Sequence, residues 1–281
     1  MNFGPFTSDQ DSFRIMDTAW EAGINFFDTA NVYGRDKGKG YSEQVVGRWL
    51  NRGGGRREDV VVATKVYGAM GDGPNDRGLS ARHIRLACDA SLERLQTDYI
   101  DLYQIHRPRS DTAIDETLRA LDDLIRAGKV RYIGSSTFAA WQVMESLWVA
   151  KELGLNRFVC EQQPYNILDR RVERELMPMV RTYGIATIPW SPIAGGLLSG
   201  KYSRDNQSPE GKRYSNIEGN TRFEARKTEE IWSVIEGLTP MAEAKGCTLA
   251  QLVLAWVVRQ PGVTSPIIGP RTMAHLIDNL G

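Results

Sequence analysis

The chain has 281 residues, 41% of them hydrophobic and 25% charged, with 35 Lys and Arg balancing 35 Asp and Glu. This is ordinary globular composition, and the balanced charge excludes a disordered chain and a polycationic nucleic-acid binder. No apolar run approaches the roughly 18 residues that cross a bilayer, and no signal pattern opens the chain, so a soluble, cytoplasmic protein is expected, with a small-molecule partner and neither nucleic acid nor membrane.

In chain order, the periodicity predicts a helix over 8–22, a strand at 25–27, a helix over 42–51 and a strand at 60–64. A helix over 80–95, a strand at 99–105, a helix over 113–127 and a strand at 130–133 follow. Next come a helix over 139–152, a strand at 158–161, a helix over 170–183 and a strand at 185–189. Two helices within 225–260, a strand at 263–268 and a helix over 272–279 complete the pattern. The strands are apolar throughout, as parallel strands covered on both faces must be. The helices carry one apolar stripe: Ile84, Ala87, Cys88, Ser91, Leu92 and Leu95 in one, and Leu118, Leu121, Leu124 and Ile125 in another, with Asp122 and Arg126 toward water. Alternation of this kind without a composition break predicts one α/β domain over 1–281, and seven strands at this pitch suit a (β/α)8 TIM barrel with one strand unread. A long piece rich in Gly, Ser, Asn and Arg, 191–223, reads as a lid or mobile loop. Cys88, Cys160 and Cys247 are scattered and odd in number, so buried thiols are expected, not a disulfide frame or a zinc site.

Reactive groups of such a barrel stand where strands end. The polar residues there are Asp28, with Tyr33 in the next loop, Lys65, His106, Ser136 and Thr137, Gln162, and Trp190 with Ser191. A phenol with a pKa near 10 is a poor proton donor unless a cation lowers it. Lys65 supplies that cation, Asp28 keeps Lys65 charged, and His106 orients a substrate oxygen. The set is a proton donor for a developing alkoxide, with no metal motif among His83, His106 and His275. Reduction of a carbonyl follows if a hydride donor is present. A glycosidase would need two opposed carboxylates, and only Asp28 and Glu161 lie at strand ends.

The runs Asn25-Phe-Phe-Asp-Thr-Ala-Asn-Val-Tyr-Gly34, Ala63-Thr-Lys65, Asp98-Tyr-Ile-Asp-Leu-Tyr-Gln-Ile-His106, Ile133-Gly-Ser-Ser136 and Ile268-Gly-Pro-Arg-Thr272 closely resemble the aldo-keto reductases, in order and over essentially the whole chain. The resemblance implies a (β/α)8 barrel that uses NADPH, with Asp28, Tyr33, Lys65 and His106 as the catalytic tetrad and Tyr33 as general acid. It makes Ser136 and Gln162 ligands of the nicotinamide carboxamide and Trp190 the aromatic face against the ring. Ser191, Ile193, Gly195 and Lys201 fall in the loop over the pyrophosphate. Gly269, Arg271 and Thr272 open the last helix toward an anion, Arg271 grips the 2′-phosphate, and His275 and Asn279 contact the phosphate and adenine end.

The sequence also departs from the family. Met1-Asn-Phe-Gly resembles the end of the first barrel strand, so a barrel lacking the N-terminal hairpin and most of that strand is expected. Thr137 stands where an Asn amide often holds the carboxamide. The implied activity is reduction of an aldehyde, ketone or keto-sugar. The alternative is a slow, NADPH-binding sensing subunit of the potassium-channel-beta type.

Overall fold

The computed structural model of the chain describes residues 2–4, 6–207 and 228–281. A parallel sheet runs in sequential order through β1 (Phe26–Asp28), β2 (Val61–Val66), β3 (Ile100–Ile105), β4 (Val130–Ser136), β5 (Cys160–Gln162) and β6 (Ala186–Thr187). Its helices are α1 (Asp9–Glu21), α2 (Tyr41–Leu50), the single turn α3 (Arg56–Asp59), α4 (Ala81–Leu95), α5 (Ile114–Arg126) and α6 (Ala140–Leu153). They continue with α7 (Leu176–Tyr183), α8 (Glu229–Ala244), α9 (Leu249–Val258) and α10 (Met273–Leu280). The expected α/β alternation is therefore present. Among the described residues no single helix is long and apolar enough to cross a membrane.

Local chemistry sets where the helices start. The hydroxyls of Ser8, Ser80, Thr228, Thr248 and Thr272 each accept a backbone N–H of the first turn of α1, α4, α8, α9 and α10. At α9 the Gln251 side chain returns the bond to the Thr248 N–H, closing a capping box. The helix expected over 170–183 is instead a 3-10 turn, Arg171–Glu173, followed by α7. Pro178 explains the break: it lacks an N–H and is tolerated in the first turn of a helix but not in its interior.

The two sheet faces differ. Phe27, Val62, Tyr103, Ile105 and Ile133 join the helices in the large core. The alternate residues Phe26, Ala63, Leu102, Cys160, Ala186 and Ile188 form a smaller apolar layer on the other face. One step further along the strands that second face turns polar, at Asp28, Lys65, Gln104 and Gln162. Gly134 pairs with Gln104 and Cys160, and a Cβ there would lie 2.5 Å from Cys160 Sγ, so only glycine lets the layer close. Cys88 and Cys160 are buried free thiols and Cys247 is half-buried and free.

Two further expectations change. Segment 263–268 is not a regular strand, although Thr264 and Ser265 N–H donate to Thr187 O (2.9 and 3.3 Å) and Ile267 N–H to Pro189 O (2.7 Å). It lies beside β6, but Pro266 offers no N–H and Thr264 Oγ1 takes the Thr187 N–H in place of a carbonyl (3.2 Å), so no even ladder forms. This segment and β1 border the same apolar groove of about 380 Å³, which α1 and α10 also line. Asp122, expected in water, is buried: it accepts Asn156 N (2.9 Å), Asn156 Nδ2 (2.8 Å) and Arg126 Nε (2.5 Å), and so ties α5 to the loop before β5. The loop expected over 191–223 is described to residue 207; its remainder lies outside the described residues.

Candidate active site

Asp28 ends β1, Lys65 lies in β2, His106 follows β3, and Tyr33 is carried by the loop after β1. The structure brings the four together. Lys65 is fully buried; its Nζ donates to Asp28 Oδ1 (2.5 Å) and to Thr29 O (2.8 Å) and lies 5.2 Å from the Tyr33 ring centroid. Tyr33 Oη is 3.5 Å from His106 Nε2, with the rings edge-on and 5.6 Å apart.

Sequence reasoning missed one member of this layer. Buried Gln104 donates through Nε2 to Asp28 Oδ2 (3.1 Å), and Gln162 Nε2 donates to the same oxygen (3.0 Å) and to Gln104 Oε1 (3.1 Å). Gln104 was findable, because it stands two residues before His106 and strand side chains repeat their face every second residue.

Burial and charge set the ionisation of these groups. Burial pushes the Lys65 ammonium down, but Asp28 and Tyr33 outweigh it, and its pKa ends above the ordinary lysine value. Burial also pushes the Tyr33 phenol up, against Lys65, which pulls it down, and burial wins. Lys65 therefore acts in the expected direction but does not bring the Tyr33 pKa below its ordinary value: at neutral pH the phenol is protonated, with a cation poised to stabilise the phenolate once a proton leaves. For His106, burial first and then the Lys65 and Arg107 charges depress the pKa to about 3, so its imidazole is neutral.

Ser136 and Gln162 are register partners at the ends of β4 and β5, and Ser136 Oγ donates to Gln162 O (2.9 Å). An ionised carboxylate only accepts, so the Gln162 amide must turn its nitrogen to Asp28, which leaves Oε1 as an acceptor at the rim. A neutral hydroxyl beside an open amide oxygen suits a carboxamide. Thr137 sits at φ 60° and its hydroxyl donates to Ser136 O (2.6 Å) while accepting from Arg107 Nη1 (2.9 Å). Glu161, next to Gln162, faces the opposite side of the sheet, where it accepts from Ser135 Oγ, Phe138 N (3.1 Å) and Gln163 Nε2 (2.6 Å). Asp28 and Glu161 therefore do not oppose one another, and this pair lacks the glycosidase geometry. Burial pushes the Glu161 carboxyl up to about 8.

The remaining predicted contacts fall into two groups. Trp190 is half-buried after β6, its backbone N–H donating to Gln163 O (2.9 Å), and Ser191 follows at φ 61°. Ile193 packs on a second apolar cluster with Leu197, Leu198 and Trp232, so its side chain anchors the loop from below. Gly195 and Gly196, at φ 71° and 108°, make a turn that favours glycine. Lys201 Nζ meets His275 Nε2 at 2.7 Å, joining this loop to the first turn of α10, where Thr272 is the cap. Gly269 O accepts from Asn2 Nδ2 (2.5 Å), and the Arg271 guanidinium stacks on Phe6, 4.1 Å from the ring centroid. Asn279, one turn beyond His275, borders the apolar groove. The Lys201 and His275 contact brings the loop that carries this glycine turn to the start of α10, a cationic setting that fits the phosphates of a dinucleotide, and the Ser136 and Gln162 pair fits its amide end.

A sequence model described as the Aldo/keto reductase family matches residues 1–281. The chain is similar to a Bacillus subtilis protein described as "Uncharacterized oxidoreductase YrpG", 42% identical over 284 residues that cover all of this chain and 84% of that protein. It is 36% identical over 282 residues to a "Probable voltage-gated potassium channel subunit beta" of Oryza sativa subsp. japonica. The same identity over the same length relates it to a protein of Arabidopsis thaliana with the same description. Both alignments cover all of this chain and 84% of the relative.

Proposed function

The chain belongs to the aldo/keto reductase family of oxidoreductases, and from that premise we propose that it reduces the carbonyl of an aldehyde, ketone or keto-sugar to an alcohol, using NADPH. The observation that carries this reading is the buried Asp28 and Lys65 pair set beside a protonated phenol and a neutral imidazole. The chemistry that a nicotinamide cofactor would supply when held there is a hydride for the carbonyl carbon. Tyr33 gives its proton to the carbonyl oxygen as negative charge develops there. Lys65, kept charged by Asp28, stabilises the phenolate left behind. His106, neutral, holds the substrate oxygen by a hydrogen bond without competing for the proton.

Ser136 and Gln162 would orient the carboxamide and Trp190 would cover one face of the ring, leaving the other to the substrate. Ser191, Ile193, Gly195 and Lys201 would lie along the pyrophosphate. Gly269, Arg271, Thr272, His275 and Asn279 would hold the adenosine end, with Arg271 selecting a 2′-phosphate. The family fold supports completion of the curled sheet as a (β/α)8 barrel. In the test, NADPH oxidation by an activated aromatic aldehyde is followed for the wild type and Tyr33→Phe. The variant is expected to lose about 10²- to 10⁴-fold in kcat with near-normal NADPH affinity. Wild-type turnover that survives in Tyr33→Phe would remove Tyr33 as the acid.

The relatives described as potassium channel beta subunits favour a second reading, slow turnover in a sensing subunit. A single-turnover hydride step far faster than product release, together with co-purification with a membrane protein, would favour it over a metabolic reductase.

A further inference from the structure

Resting on the reductase reading, we propose that Arg107 forms an anion subsite at the mouth of the active site, so that the preferred substrates are carbonyl compounds bearing a carboxylate or phosphate. Arg107 directly follows His106 and reaches from the end of β3 to the end of β4, where its Nη1 donates to Thr137 Oγ1 (2.9 Å). It is half-buried, and among the described residues no carboxylate pairs with it.

Two nearby cations already have carboxylate partners. Lys65 is neutralised by Asp28, and Arg109, two residues on, by Asp111. His106 is neutral. Among the described residues the Arg107 charge therefore stands without a counterion near the proton donor, where it pulls the Tyr33 phenol down against the rise that burial causes and adds to the depression of His106. Half-burying a guanidinium without a counterion is costly, and a planar fork with one arm fixed on a neutral hydroxyl is well placed to receive an acidic group. Thr137 has the reach for this: at φ 60° its hydroxyl bridges Ser136 O and Arg107, which aims the guanidinium along the rim beside Ser136.

The test uses pairs matched in shape and differing in charge: 4-carboxybenzaldehyde against its methyl ester, and dihydroxyacetone phosphate against dihydroxyacetone. The ratio of kcat/KM, anion over neutral, is expected to exceed about tenfold in the wild type for at least one pair. It should fall as ionic strength rises, drop toward unity in Arg107→Met and be partly kept in Arg107→Lys. The pair showing the preference separates carboxylate from phosphate. A wild-type ratio near unity for both pairs, or a ratio unchanged in Arg107→Met, overturns the proposal. So does a loss in Arg107→Met that appears equally in the Kd for NADPH, which would make Arg107 a cofactor residue. If none of the four carbonyl compounds is turned over, the reductase reading fails, and the subsite is judged by calorimetry of 4-(hydroxymethyl)benzoate against its methyl ester. Tighter binding of the acid, lost in Arg107→Met, sustains the anion site, and equal binding overturns it.

Discussion

At the scale of single residues, the site rests on Lys65, whose ammonium is fully enclosed and bonded to Asp28 and to the Thr29 carbonyl. Breaking such a pair from one side leaves a buried charge alone. Lys65→Met is expected to cost about 3–5 kcal/mol in urea unfolding, and Asp28→Asn added to it should restore part of that loss while activity stays absent. A double variant no more stable than Lys65→Met would mean that Asp28 is held by Gln104 and Gln162 alone. The residue types of Asp28, Tyr33, Lys65 and His106, and their positions at strand ends or, for Tyr33, in the loop that follows one, were legible from the chain because their chemistry is unusual at such places. The direction of the Tyr33 pKa was not. It depends on how much water the folded site excludes, and burial there outweighs the nearby cation.

Among the elements, close approach decides more than propensity. Gly47 of α2 lies against α4, and a Cβ would stand 2.5 Å from Arg94 O, whereas Gly237 in α8 has open space around it. Gly47→Ala is therefore expected to destabilise by about 1–3 kcal/mol despite alanine's better helix propensity. Gly237→Ala should stabilise by about 0.5–1 kcal/mol. Thermal or urea unfolding of the two variants checks this, and matching signs would refute the packing account. The same contact buries Glu43, which accepts from Thr64 Oγ1 (2.5 Å) and Arg94 Nε (2.6 Å). Periodicity located both helices and the apolar stripe of α4, which does not include Arg94. The salt bridge to Glu43 draws it inward, and a period of 3.6 carries no information on such pairing.

For the whole molecule, half-buried His106 and buried Glu161, both shifted by desolvation, act on stability against pH from opposite sides. His106, depressed to about 3 from an ordinary 6.5, refuses a proton that the unfolded chain accepts, so stability falls as pH drops from about 6.5 to 3. Glu161, raised to about 8 from an ordinary 4.5, stays protonated in the fold while the unfolded chain ionises, so stability falls as pH climbs from about 4.5 to 8. The two slopes oppose one another between about 4.5 and 6.5, and a plateau in Tm is expected there. Glu161→Gln should flatten the decline above 6.5 and leave the acid limb in place. An unchanged alkaline slope would show that Glu161 is ionised in the fold. No stretch of sequence reveals either group's environment, since each is walled by elements distant along the chain.

What the amino-acid order determined by itself was local and periodic: the alternation of strands and helices, and the positions of the four reactive residues at strand ends and in the loop after the first strand. Their motifs carried the family as well, because spacing and residue type are properties of the chain. Tertiary structure decided what depends on enclosure and on partners far apart in sequence. It broke the regular ladder at 263–268, where Pro266 and the Thr264 hydroxyl displace backbone bonds. It turned Glu161 away from Asp28, recruited Gln104, and left the Arg107 charge without a carboxylate partner among the described residues. Desolvation and long-range pairing act through three-dimensional proximity, and only the folded chain supplies it.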